Sequence, residues 1–217
     1  MRIDGEAPEL FDVLFPQGLV PQILKLIVDT WQSFRRPSDD EDEPKITNRF
    51  VFDLQEEQRR RRAPFRVEPH VKDIEHLDPA TGRGYFEIDI CIPHGYDSQC
   101  YFGIEAKKLN VKISVGARQP NAGEYAGPKG MGCFVSGDYA PHQCEGAMIG
   151  YVMDGNCETA KANISVAIDI RSVELHVPNP CPLNPARHLP GCSDAFETEH
   201  DLPDRDKFTL HHILLAA

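Results

Sequence analysis

Glu87, Asp89, Glu105 and Lys107 sit inside two apolar, strand-like segments of the stretch YFEIDICIPHGYDSQCYFGIEAKKL, residues 85 to 109. A charge in such a segment is costly to bury without a partner. Residues i and i+2 of a strand share a face, so Glu87 and Asp89 point one way, and Glu105 and Lys107 form a second such pair. The loop PHGYDSQ between the segments has hairpin length. Paired as a hairpin, the strands bring Asp89 and Glu105 close together. Two close carboxylates repel until one is protonated or a cation lies between them. Lys107 supplies part of that cation, and a hard divalent metal would supply the rest. Ligation by oxygen alone is what magnesium prefers. Such an ion polarises a phosphoryl oxygen and acidifies bound water, and a lysine beside it orients that water or stabilises developing charge. The same residues also fit a plain half-exposed hairpin, with Asp89 or Glu87 paired across the strands to Lys107.

The elements that must position these residues can be read around them. LVPQILKLIVDTWQSFRR, residues 19 to 36, has helical apolar spacing at Leu19, Ile23, Leu26, Ile27, Thr30 and Trp31, with Pro21 suited to a first turn. PSDDEDEP, residues 37 to 44, is an acidic break. A second helix is expected from about Pro44 to Arg61, with Ile46, Phe50, Phe52 and Leu54 as its apolar stripe. PFRVEPHVKD reads as a strand with a polar interruption, and DPATGRG as a turn. A short helix is expected between Ala122 and Ser136, a buried strand in GAMIGYVMDG, and a helix in NCETAKANISVAIDIRSV capped near Asn156 or Thr159. NPCPLNPARHLPGC is too proline-rich for regular structure, and DKFTLHHILLAA reads as a final strand. There, one of His211 and His212 is expected to face the core and the other to face out.

Asp89, followed after fifteen residues by Glu105-Ala106-Lys107, resembles the core of the PD-(D/E)XK nuclease superfamily, the restriction-endonuclease-like fold. The proline of that motif is replaced by Ile88. The resemblance covers roughly residues 40 to 155, the size expected of one domain. It implies an α/β fold, a central mixed sheet flanked by helices in the order αβββαβ, preceded by an N-terminal helical extension. Residues 1–40 would then be the extension and acidic linker, and 41–217 the nuclease domain. It implies Asp89, Glu105 and the Ala106 carbonyl as ligands of Mg2+, for which Mn2+ may substitute, and Lys107 as the catalytic lysine. Family members often add a glutamate from the first helix, for which EDEPKIT offers Glu43, with Glu41 as the second choice. GMGCFVSGDY, EGAMIGYV and FETEHDL with FTLHHILL are similar to stretches in small restriction-like proteins of bacterial anti-phage loci, which implies defence against foreign DNA.

The net charge of −11 argues against a non-specific nucleic-acid coat, which is usually basic. One basic run, RRRRAPFR, offers Arg59, Arg60, Arg61, Arg62 and Arg66 for DNA contact. Equally, it fits a solvated helix end paired with Glu56 and Glu57. Lys129 and the loop from Gly127 offer a second contact. Glu87 could support Asp89, Glu124 and Tyr125 read as surface, and Lys108 should point away from the site. Cys181, His188, Cys192 and His200 raise a zinc site, though without the spacing of a compact knuckle. There is no nucleophile elbow and no phosphate-binding Gly-x-x-x-x-Gly-Lys loop. No apolar run is long enough to cross a bilayer. The acidic start lacks a signal-peptide core, so a cytoplasmic location with reduced cysteines is expected. Together the residues point to a metal-dependent nuclease acting as a homo-oligomer or as a subunit of a larger defence complex. The alternative is a non-catalytic interaction subunit on the same fold.

Overall fold

Pro21 at the start and a run of apolar residues at helical spacing set α1, Val20–Ser33, behind a 3-10 turn at Gln17–Leu19. The structure, a computed structural model, describes residues 14–73, 86–95, 100–139, 141–203 and 207–217. The expected DPATGRG turn and residues 96–99 of the hairpin loop lie outside the described residues. After the acidic break comes α2, Glu43–Arg61, with Pro44 in its first turn, Glu43 at its positive end and Arg59–Arg61 at its negative end. It closes on Arg62 in the left-handed region, φ 55°. Three strands follow: β1 Glu68–Asp73, β2 Phe86–Pro93 and β3 Tyr101–Leu109. A small hairpin of β4 Val111–Ser114 and β5 Ala117–Gln119 leads into two short helices, α3 Ala122–Tyr125 and α4 Met131–Val135. Then come β6 Glu145–Val152, α5 Cys157–Ile170, β7 Asn184–Pro185, β8 Ala195–His200 and β9 Phe208–Ala216. The Asn156 side chain caps α5 by accepting the Thr159 N–H at 3.0 Å.

The main sheet runs β1-β2-β3-β6-β9-β8-β7. β1, β2 and β3 are antiparallel, β6 lies parallel to β3, and β9 lies parallel to β6. The protein is therefore α/β, with a mixed central sheet flanked by helices. Helices cover both faces, so the two central parallel strands are buried almost end to end. On one face α1 and α2 pack Ile27, Trp31, Ile46 and Phe50 against Phe102, Ile104, Tyr151 and Ile213. Trp31 stacks on Phe34 and on Tyr151, and its Nε1 donates to Ala216 O at 2.9 Å. On the other face α3, α4 and α5 pack Tyr125, Phe134, Ile164 and Ile168 against Leu109, Met148, Phe196 and Leu214.

Several expectations need correction. Phe52 is 60% exposed, because the buried stripe of α2 runs through Ile46, Thr47, Phe50, Val51 and Leu54. The single short helix expected after Ala122 is two. β8 and the β4–β5 hairpin lie where no strand was expected, and the two-residue β7 pairs with β8 inside the proline-rich stretch that was expected to lack regular structure. Both His211 and His212 are buried, since β9 lies inside a sheet covered on both sides. His212 belongs to a fully directed chain of hydrogen bonds. The Leu175 carbonyl can only accept, so His200 Nδ1–H donates to it at 2.7 Å. With His200 neutral, its Nε2 accepts from Thr198, Thr198 from His212 Nε2–H, and His212 Nδ1 from the Tyr125 hydroxyl. Burial accordingly pushes the His212 pKa well down and keeps the ring neutral. None of the seven cysteines is joined to another in a disulfide, and no helix among the described residues is long and apolar enough to cross a membrane.

Trp31 ties α1 to the sheet by stacking and by a hydrogen bond, so Trp31→Ala should cost about 3–5 kcal/mol. Urea unfolding followed by circular dichroism measures this. A loss below about 1 kcal/mol would show that α1 is not part of the cooperative core.

Candidate functional site at the β2–β3 fork

β2 and β3 pair from Pro93↔Tyr101 to Ile90↔Ile104, and there the ladder stops. β3 continues to Leu109 with its other edge on β6. Past Ile104, the N–H groups of Ala106 and Lys108 face the edge that β2 has left. Buried backbone donors need acceptors, and here side-chain carboxylates replace the missing strand. Ala106 N–H donates to Asp89 Oδ2 at 2.9 Å, and Lys108 N–H donates to Glu43 Oε2 at 2.5 Å. Glu43 opens α2, where the helix dipole favours a carboxylate. The acidic break is stitched to the same strand. Lys108 Nζ donates to the carbonyls of Asp39 at 3.0 Å and Glu41 at 2.7 Å, so it points away from Lys107 as expected and is held by the acidic break.

Lys107 stands among these oxygens. Its Nζ donates to Glu105 Oε1 and, at 2.9 Å, to the Ala106 carbonyl, and it lies 3.5 Å from Glu43 Oε1. Burial pushes Glu105 up to about 8, with the Asp89 charge adding to the shift and Lys107 opposing it. Burial also raises Asp89 and Glu43. For Lys107, burial alone would lower the pKa. The carboxylates of Glu105, Glu43 and Asp89 outweigh it and hold the ammonium form. Glu105 Oε2 is buried without a well-aligned hydrogen-bond partner, although the Tyr139 hydroxyl interacts with this carboxylate and opposes the rise in its pKa. The structure thus brings Glu43, Asp89, Glu105, the Ala106 carbonyl and Lys107 to one end of one strand. This donor set is oxygen only and suits a hard divalent cation. The ligand oxygens of Glu43, Asp89 and Glu105 do not, however, all lie within 4.8 Å of one another.

Sequence reasoning missed two residues at this site. His70, opposite Asp89 in β1, has φ 47°; its Nδ1 lies 3.1 Å from Glu87 Oε1 and its Nε2 3.0 Å from Asn48 Oδ1. Tyr139, whose hydroxyl donates to the Glu87 carbonyl, has its pKa raised by burial and by the Glu105 charge. His70 was hidden in a polar, proline-containing strand, and Tyr139 in a segment with no period.

The arginines lie elsewhere. Arg59 pairs with Glu56, Arg60 with Glu57, and Arg61 with Glu57 and Asp29, while Arg66 is 3.9 Å from Glu68. Glu43 and Arg61 bound a 19-residue helix, so Arg61 sits about 27 Å along α2 from Glu43. Lys129 and Glu124 are exposed, whereas Tyr125 is buried. The cysteines do not gather with His188 and His200. Among the described residues, the metal-ligating group that does form is Glu145, His188 and His211. His211 Nε2 lies 3.1 Å from Glu145 Oε2, and its Nδ1 lies 3.3 Å from Glu197 Oε1. Burial alone would lower its pKa, but hydrogen bonds to Glu145 and Glu197 raise it. The chain matches no protein-family model, no curated protein and no solved structure.

The raised Glu105 pKa has a consequence for stability. Between its ordinary value of 4.5 and about 8, folded Glu105 holds a proton that the unfolded chain has released. Metal-free stability should therefore fall as pH rises through that window. Glu105→Gln cannot ionise and should flatten the fall by at least about 1 kcal/mol. Urea midpoints from pH 5 to 8 in a chelator test this, and parallel profiles for the two proteins would contradict it.

Proposed function

We propose that this chain is a metal-dependent nuclease that hydrolyses DNA phosphodiester bonds at the β2–β3 fork. The observation that carries the reading is the buried Oε2 of Glu105, without a well-aligned hydrogen-bond partner, beside Asp89, the Ala106 carbonyl and Lys107. A buried carboxylate oxygen without a well-aligned partner is costly, and a site that binds a cation resolves that cost. The strand order also supports a restriction-endonuclease-like core: three antiparallel strands, the middle one bearing Asp89 and the third Glu105 and Lys107, then a strand parallel to the third. A divalent ion held by Asp89, Glu105 and the Ala106 carbonyl would polarise a phosphoryl oxygen and lower the pKa of its bound water.

The chain's own residues have separable tasks. Asp89 and Glu105 supply anionic oxygens from two strands whose backbones are fixed by the sheet. Glu43 keeps the N-terminus of α2 against β3 through the Lys108 N–H, and its second oxygen faces Lys107. Lys107, kept cationic by three carboxylates, is a donor placed to orient a water or to take negative charge developing on phosphate. Its turn toward Glu105 and Glu43 favours a catalytic reading over a surface that only binds a partner.

Supercoiled plasmid and single-stranded DNA, incubated with Mg2+ or Mn2+, test the reading. The wild type should nick or cut, chelation should abolish it, and Asp89→Ala and Lys107→Ala should each lower the rate at least about 100-fold. Cutting that survives both substitutions would place the activity elsewhere.

A further inference from the structure

We propose that Glu145, His188 and His211 form a second metal site, one that takes a zinc-class divalent ion and stands apart from the β2–β3 fork. Glu145 opens β6, His211 lies in the neighbouring β9, and His188 comes from the loop ahead of β8. One ligand atom of each lies within 4.8 Å of the other two. Two imidazole nitrogens and one carboxylate oxygen suit Zn2+, with a fourth position left for water, and suit magnesium poorly.

Further observations point to an ion. His211 is 1% exposed and sits between two carboxylates, with Glu145 at its Nε2 and Glu197 at its Nδ1. Half-buried His188 makes no hydrogen bond with a described residue; its ring lies 5.5 Å from that of His211. With the Nε2 of His211 on the metal, its Nδ1–H faces Glu197 directly across the β8–β9 pair, 3.3 Å away. That is the carboxylate–histidine–metal arrangement, which fixes the ring's tautomer and raises its basicity. Glu197 is itself immobilised, since Arg187 donates both its N–H and its Nε–H to it at 2.7 Å. The same contact holds the next residue, His188, over β9. An ion here would tether the loop before β8 to the two central strands. It would do so on the sheet face of Phe102, whose ring lies 6.3 Å from that of His211. Glu105 points to the opposite face.

Equilibrium dialysis of the full, tag-free chain against Zn2+, with Co2+ absorption as a probe of coordination, tests this. The wild type should hold one equivalent, keep it in excess Mg2+, and show tetrahedral Co2+ bands. Glu197→Gln should weaken binding about 10–100-fold. His188→Ala, in a loop and checked for folding by circular dichroism, should weaken it more. Asp89→Asn should leave it unchanged. Folded wild type that takes up no Zn2+, uptake indifferent to His188→Ala, or displacement by Mg2+ would overturn the proposal.

Discussion

Two carboxylates completing the hydrogen bonding of one strand edge are what the rest of the candidate site depends on. β3 runs past the end of its antiparallel partner, and the exposed donors of Ala106 and Lys108 would be orphaned in a half-buried setting. Asp89 and Glu43 take them. That constraint fixes where β2 diverges and where α2 begins. It also draws the acidic break onto the strand, through Lys108. The two acids are therefore held by the backbone they cap, and not by loop packing. Between them Lys107 balances charge that burial would otherwise neutralise.

The second organising feature is the double cover of the sheet. Because helices lie on both faces, β6 and β9 are buried almost end to end, and the buried polar groups they carry must find partners inside. On the α5 face the partners form the chain from Tyr125 through His212, Thr198 and His200 to the Leu175 carbonyl. On the other face His211 meets Glu145 and Glu197. Adjacent histidines thus serve opposite ends: one is locked neutral in a satisfied core network, and the other stands between carboxylates with an imidazole neighbour.

The hairpin was legible because its charges interrupt an otherwise clean alternation of apolar residues. Period 2 alone places Glu105 and Lys107 on one face. The helices were legible from their apolar spacing and, for α5, from the Asn156 cap. β8 was not, because AFETEH buries Glu197, Thr198 and His200 and so looks like a polar loop after a proline-rich stretch. The partners that make this burial tolerable lie elsewhere in the chain and leave no local signal. The same holds for His70, set by a left-handed backbone in β1. Alternation placed Lys108 on the face opposite Lys107, but gave no sign that its ammonium would bind carbonyls of the acidic break.

The proposed activity requires that the fork's carboxylates hold a divalent cation. Electron paramagnetic resonance of free Mn2+ titrated with the chain reads this without reference to any substrate. The account predicts uptake by the wild type that is lost in Asp89→Asn and in Glu105→Gln. Wild-type protein that leaves the Mn2+ signal untouched, or variants that bind as it does, would contradict it.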